Sequence, residues 1–212
     1  MKWHDFLTVL EGASLFDASA LLAGPDSPAE VRRQLSRWVA SGRLIQLRRG
    51  LYALAPPFAR ASPSLLAIAS RLRRPSYVSL QSALSFHGAI PESVTAVTSV
   101  TTGRPGRFET ALGHFLYRCV GTHLFWGYRE VDVGEGDRAF VALPEKALLD
   151  LFYLTPGPIR EPFVRELRLA PDALEPRRLR EFAERAAKPK LLKAATLAGR
   201  FLEQDSRRER RL

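Results

Sequence analysis

The stretch "SPAEVRRQLSRWVASGRLIQLRRGLYAL", residues 27–54, decides the fold. Ser27 reads as a helix N-cap, Pro28 as the first helical residue, Glu30 as the partner in a capping box and Gly42 as the stop. At about 100° per residue, Val31, Leu35 and Trp38 fall in one narrow arc, the face that packs. Opposite lie Ala29, Arg33, Ser36, Arg37 and Ala40, with Arg32 at the flank. Two short apolar runs follow and meet at Arg48-Arg49-Gly50, where Gly50 supplies the positive φ of a tight hairpin turn.

Upstream, "WHDFLTVLEG" sets Trp3, Phe6, Leu7 and Leu10 at helical spacing ahead of Gly12. "LFDASALLAG" reads as a short strand-like entry, then a helix N-capped by Asp17, running through Leu22 and stopped by Gly24-Pro25. Three helices and a hairpin in this order predict a winged helix-turn-helix to about residue 57. Small residues on the outer face of the third helix let a backbone approach closely. Arg33 and Arg37 there can reach guanine edges or phosphates, while Ser36 completes the face. Arg32 is placed for phosphate. Arg48 and Arg49 are expected to project from the hairpin tip towards DNA, with Tyr52 near its base. The plain alternative is that tip arginines are simply solvated.

The Pro-rich "APPFARASP", residues 55–63, marks a domain boundary. Beyond it, "SLLAIASRLRR" and "SLQSALSFHG" read as helices, and "VTAVTSVT", "HFLYRCV", "LFWGYREVDV" and "RAFVAL" as strands. "PEKALLDLFYL" reads as a short amphipathic helix. From Glu161 the chain reads as helical and basic, interrupted at Pro171, Pro176 and Pro189, with Leu179, Phe182, Leu191, Leu192 and Leu197 as its packing residues. The final "RRERRL" is expected to be disordered. The fold class is therefore α+β: the N-terminal unit to residue 57, then a mixed α/β domain over 64–212 with a basic helical end from about 161.

Charge gives these arginines a context. The 212 residues hold 32 Lys and Arg against 22 Asp and Glu, a net +10, and residues 177–212 carry +7 of it. Such an excess favours a polyanionic partner, nucleic acid before membrane, because neutralising phosphates releases counterions. No apolar run reaches the roughly 20 residues that span a bilayer. The N-terminus lacks the pattern of a signal peptide, so the expected location is cytoplasmic. A single cysteine, Cys119, leaves no internal disulfide and no cysteine-cluster zinc site.

The chain resembles the AbiEi family at "RLIQLRRGLYAL", "PSYVSLQSALSFHGAIPE", "VTSVTTGRPGRFETALG" and "ALPEKALLDLFYL". The similarity runs from about Phe16 to Leu154. These are antitoxins and transcriptional regulators of type IV toxin–antitoxin systems. The resemblance implies that the N-terminal domain binds inverted repeats in its own promoter and represses it. It also implies that the C-terminal domain counteracts a nucleotidyltransferase-like toxin, typically without a stable complex. DNA contacts carry over to Arg32, Arg33, Arg37, Arg48 and Arg49. The family offers no agreed catalytic residue to place here.

Other chemistry in the second domain reads weakly. Arg104 and Arg107, around a Pro-Gly turn, read equally as a second basic loop, for phosphate or facing the toxin, and as a solvated turn. His87 suits a helix C-cap, a cation against the dipole. His114 and His123 have no carboxylate at metal-ligand spacing. Glu145 and Lys146 are adjacent, whereas a Glu-x-Lys nuclease needs them two apart on one strand. Gly121-Thr122 followed by Glu130 and Asp132 only partly matches a metal-dependent nucleotidyltransferase. The leucines of "PEKALLDL" fit a core better than a partner-docking face. The expectation is a regulator with no enzyme activity, no metal and no cofactor. The alternatives are a metal-dependent nucleotide-processing enzyme and a plain regulator without a toxin.

Overall fold

The computed structural model describes residues 2–22, 27–59, 61–134 and 136–209. The expected Gly24-Pro25 stop and residues 210–212 of the expected disordered end lie outside them, while residues 207–209 of that end are helical, contrary to expectation. The N-terminal unit runs α1 (Trp3–Val9), β1 (Leu15–Asp17), α2 (Ser19–Leu22), α3 (Pro28–Ala40), β2 (Leu44–Arg48) and β3 (Leu51–Leu54). Ser27 caps α3 by accepting the Glu30 amide at 3.3 Å, while the Glu30 carboxylate accepts the Ser27 hydroxyl rather than its amide. Gly42, at φ 71°, follows the helix end.

The expected hairpin is part of a larger sheet. β1 adds to it, giving an antiparallel three-stranded sheet in the order β1-β3-β2. Every residue of β3 is buried. Tyr52 and Leu54 join Phe6, Phe16, Val31, Leu35, Trp38 and Leu44 in the helical core. Leu51 and Ala53, on the opposite face, join Leu15 and Leu47 in a second core that continues through Ile68 and Leu72. Alternation along one strand thus serves two cores. The stretch 55–63 separates the units in sequence, but apolar packing crosses between them.

β2 carries a bulge. Gln46 pairs with Tyr52 and Arg48 with Leu51, leaving Leu47 as the extra residue. An extra residue changes the side to which the following side chain points. Asp17, expected as an N-cap, ends β1 instead.

The second unit is a mixed six-stranded sheet in the order β6-β7-β5-β4-β9-β8. Its strands are β4 (Ser76–Val78), β5 (Ala96–Thr101), β6 (Gly106–Thr110), β7 (Gly113–Cys119), β8 (Tyr128–Asp132) and β9 (Arg138–Ala142). The expectation omitted β4 and β6, and it began the β8 strand too early, at Leu124, the last residue of a 3-10 turn at Thr122–Leu124. α4 (Leu65–Leu72) covers one face, where the Tyr117 hydroxyl donates to Ala69 O at 2.6 Å. α5 (Leu80–Phe86) and α6 (Pro144–Leu154) pack together, and α6 meets the other face at Tyr77, whose hydroxyl donates to Asp150 Oδ2 at 2.9 Å.

α6 is apolar on nearly every side: Ala147, Leu148, Leu149, Leu151 and Phe152 are all buried. Its charges are therefore buried too. Lys146, 2 % exposed, pairs with Asp150 one turn on and donates to the Tyr77 hydroxyl at 2.9 Å. Ser79 donates to Asp150 Oδ2 at 2.8 Å. Burial pulls Lys146 below its ordinary pKa and pushes Asp150 above its own, each opposed by the other's charge.

The C-terminal helices are α7 (Glu161–Glu166), α8 (Pro176–Ala186) and α9 (Pro189–Glu209). Pro176 and Pro189 open helices, and Pro171 opens a 3-10 turn. Leu179 and Leu191 are buried as expected, but Leu192 is exposed and Ala194, Ala195 and Ala198 pack in its place. The Glu145 carboxylate accepts the Glu175 amide at 2.9 Å, at the start of α8. In return, the Lys190 ammonium donates to Tyr153 O and Thr155 O at the end of α6.

Removing one half of the buried pair leaves an uncompensated charge. Asp150→Ala should lower unfolding free energy by about 3–5 kcal/mol in urea titrations, and the double change Lys146→Met with Asp150→Leu should recover most of it.

Candidate nucleic-acid interface

The interface candidate is built on α3. Val31, Leu35 and Trp38 are buried in the helical core, where the Trp38 ring meets Phe6 at 4.7 Å and Trp3 at 4.9 Å. That packing fixes the rotation of the helix and turns Ala29, Arg32, Arg33, Ser36, Arg37 and Ala40 outward, all exposed. The Ser36 hydroxyl donates to Arg32 O at 3.0 Å, leaving its lone pairs open. Arg32, Arg33 and Arg37 make no ion pair among the described residues. At the hairpin turn, Arg49 is exposed beside Gly50, whose φ is 85° as the turn requires.

Two expected contact residues are placed elsewhere. Arg48 does not project from the tip, because the bulge sends it towards α4. Its Nη2 donates to Arg71 O at 3.1 Å and its Nη1 to Arg49 O at 2.9 Å, with Asp17 at 3.9 Å. Tyr52 is only 9 % exposed and stacks on Phe16 at 5.7 Å. It is a core residue, not one at the hairpin surface.

The other candidates make local contacts of their own. Arg104 is exposed, and its carbonyl accepts Arg73 Nη1 at 2.6 Å. Arg107 lies on strand β6, not in the turn, and pairs with Glu109 at 2.5 Å. His87 is the C-cap of α5, as expected, but not as a cation. Its Nε2–H donates to Ala142 O at 2.8 Å, and burial pulls its pKa below 6.5 more strongly than that bond raises it.

His114 and His123 are exposed on different elements. Glu130 pairs with Arg138 at 3.0 Å, and Asp132 accepts the Gly134 amide at 2.8 Å. Glu145 and Lys146 hold different partners, α8 and Asp150. Among the described residues no three His, Cys, Asp or Glu gather as a metal cluster, and no helix is long and apolar enough to cross a membrane.

The buried Lys146–Asp150 pair escaped the sequence reading. Its signal was present: a helix apolar all round has no wet face on which to put a Lys and an Asp one turn apart.

The stretch that carries α3, β2 and β3 also carries the likeness to known proteins. Residues 28–55 match the AbiEi antitoxin family of transcriptional regulators. No curated protein matches the chain. The AbiEi match begins at the first residue of α3 and ends one residue past β3, so it spans the outward-facing Arg32, Arg33, Ser36, Arg37 and Arg49. It supports a regulator role for the chain.

Two measurements check these placements. Tyr52→Ala should cost about 3 kcal/mol of stability, as loss of a buried ring does, while Tyr52→Phe leaves DNA affinity unchanged in gel shifts. His87 is neutral when folded and protonated more readily when unfolded. Stability should therefore fall as pH drops below about 6.5, and His87→Gln should flatten that part of the profile in thermal melts.

Proposed function

We propose that this protein is a DNA-binding transcriptional repressor and the antitoxin of a type IV toxin–antitoxin system. In this reading residues 1–57 form a winged helix-turn-helix that binds inverted repeats in the promoter of its own operon. α3 enters the major groove, with Arg33 and Arg37 at base edges and Arg32 on phosphate. Arg49 grips the backbone from the wing. The domain from residue 64 counteracts a nucleotidyltransferase-like toxin without a stable complex, and the whole acts in the cytoplasm.

The observation that carries this reading is the coincidence of the AbiEi match with the segment whose exposed arginines face outward. The net charge of +10 adds support, since it lowers the cost of approaching a polyanion. We propose no enzymatic role. Glu130 and Asp132, the carboxylates best spaced for one, are engaged by Arg138 and by the Gly134 amide on an edge strand.

A gel-shift titration against the DNA upstream of the reading frame, at two salt concentrations, tests the proposal. Arg33→Ala should weaken operator binding more than binding to random DNA. Arg49→Ala should weaken both alike and lower the salt slope by about one. Operator binding unchanged in both variants refutes the contacts. For the antitoxin half, co-expression should relieve the toxicity of a neighbouring nucleotidyltransferase-like product, and failure to do so leaves a plain regulator.

A further inference from the structure

We infer that Arg48 is a positioning residue that locks the hairpin of the DNA-reading unit to α4 of the sheet domain. The inference rests on the DNA-binding reading above and gives the two units a fixed relative pose on the duplex.

The seam is made from both sides. Arg48, at the end of β2, donates across it to Arg71 O on α4, while Arg71 Nη1 donates back to Leu15 O on β1 at 2.8 Å. Beneath these bonds, Leu15, Leu47 and Leu51 are buried in one cluster with Ile68 and Leu72 of α4. The other end of the Arg48 guanidinium holds Arg49 O, so the same side chain ties the turn that presents Arg49. With Asp17 nearby and a side chain only 34 % exposed, Arg48 is oriented by the protein itself.

A phosphate contact by Arg48 would have to break the bond across the seam. A planar fork can serve two carbonyls at once, whereas a lysine ammonium on its flexible stem lacks that fixed geometry. The bulge at Leu47 is what makes the arrangement possible.

The test uses the full chain, with spin labels at the native, exposed Cys119 and at Gln46→Cys on the hairpin. Arg48→Ala and Arg48→Lys should both broaden the distance distribution. Both should lower operator affinity about tenfold, the scale of a lost hydrogen bond or two, without changing the salt slope. Arg71→Ala removes only the bond to Leu15 O and keeps the carbonyl that Arg48 holds, so it should broaden the distribution less than the Arg48 variants, and Arg48→Lys covers the case that Arg48→Ala fails to fold.

A salt slope lowered by about one in Arg48→Ala, with the distribution still narrow, makes Arg48 a phosphate ligand and overturns the inference. Wild-type affinity and distance in Arg48→Lys overturn it as well. Should the wild type not bind its upstream DNA, the DNA reading fails. The distance measurement then still decides the seam: broadening upholds it and an unchanged distribution refutes it.

Discussion

The structure depends on one short strand being buried on both faces. Leu51 and Ala53 of β3 point into the sheet-domain core, and Tyr52 and Leu54 into the helical core. A strand has only two faces, and here neither is left for water. A one-residue slip would exchange the two sets and place Tyr52 against α4, so the register is held by both cores at once. Asp17 and Arg48 lie at the rim, where this small sheet stops and polar groups can be satisfied.

The helical half of that arrangement was legible in the sequence. Ser27, Pro28 and Gly42 delimit α3, and the arc of Val31, Leu35 and Trp38 gives its rotation. With the rotation fixed, the outward arginines follow. The hairpin was legible too, from Gly50. Its surroundings were not, because the helix that covers its second face begins at Leu65, after the Pro-rich stretch. Read without that cover, Tyr52 and Arg48 look free. A bulge is equally hard to see in advance: nothing in "LIQLRRGL" distinguishes Leu47 as an extra residue from Leu47 in regular register.

In the sheet domain, charge misleads in both directions. Lys146 and Asp150 look like solvated residues of a short helix and are among its most deeply buried. The C-terminal region looks like a block of free cations, yet Arg177 pairs with Glu181, Arg180 with Glu184 and Arg178 with Glu175 along α8. Each such pair adds nothing to the net charge, and its field falls off within a short distance in salt water. The outward arginines of α3 make no such pair among the described residues, so their field is not cancelled in this way.

The reciprocal bonds between α6 and the last two helices alter what the C-terminal region is. Glu145, at the start of α6, accepts the amide that opens α8, and Lys190 donates to the last carbonyls of α6, so each end of one buried helix is tied to residues that follow it in the chain. A chain ending before Pro176 would uncover the side of α6 where Leu149 and Tyr153 line a small cavity with Ala186 and Leu191, and would leave the last carbonyls of α6 without a donor. What composition presents as a detachable cationic appendage is the roof of the sheet domain, and the domain has no natural stopping point ahead of it.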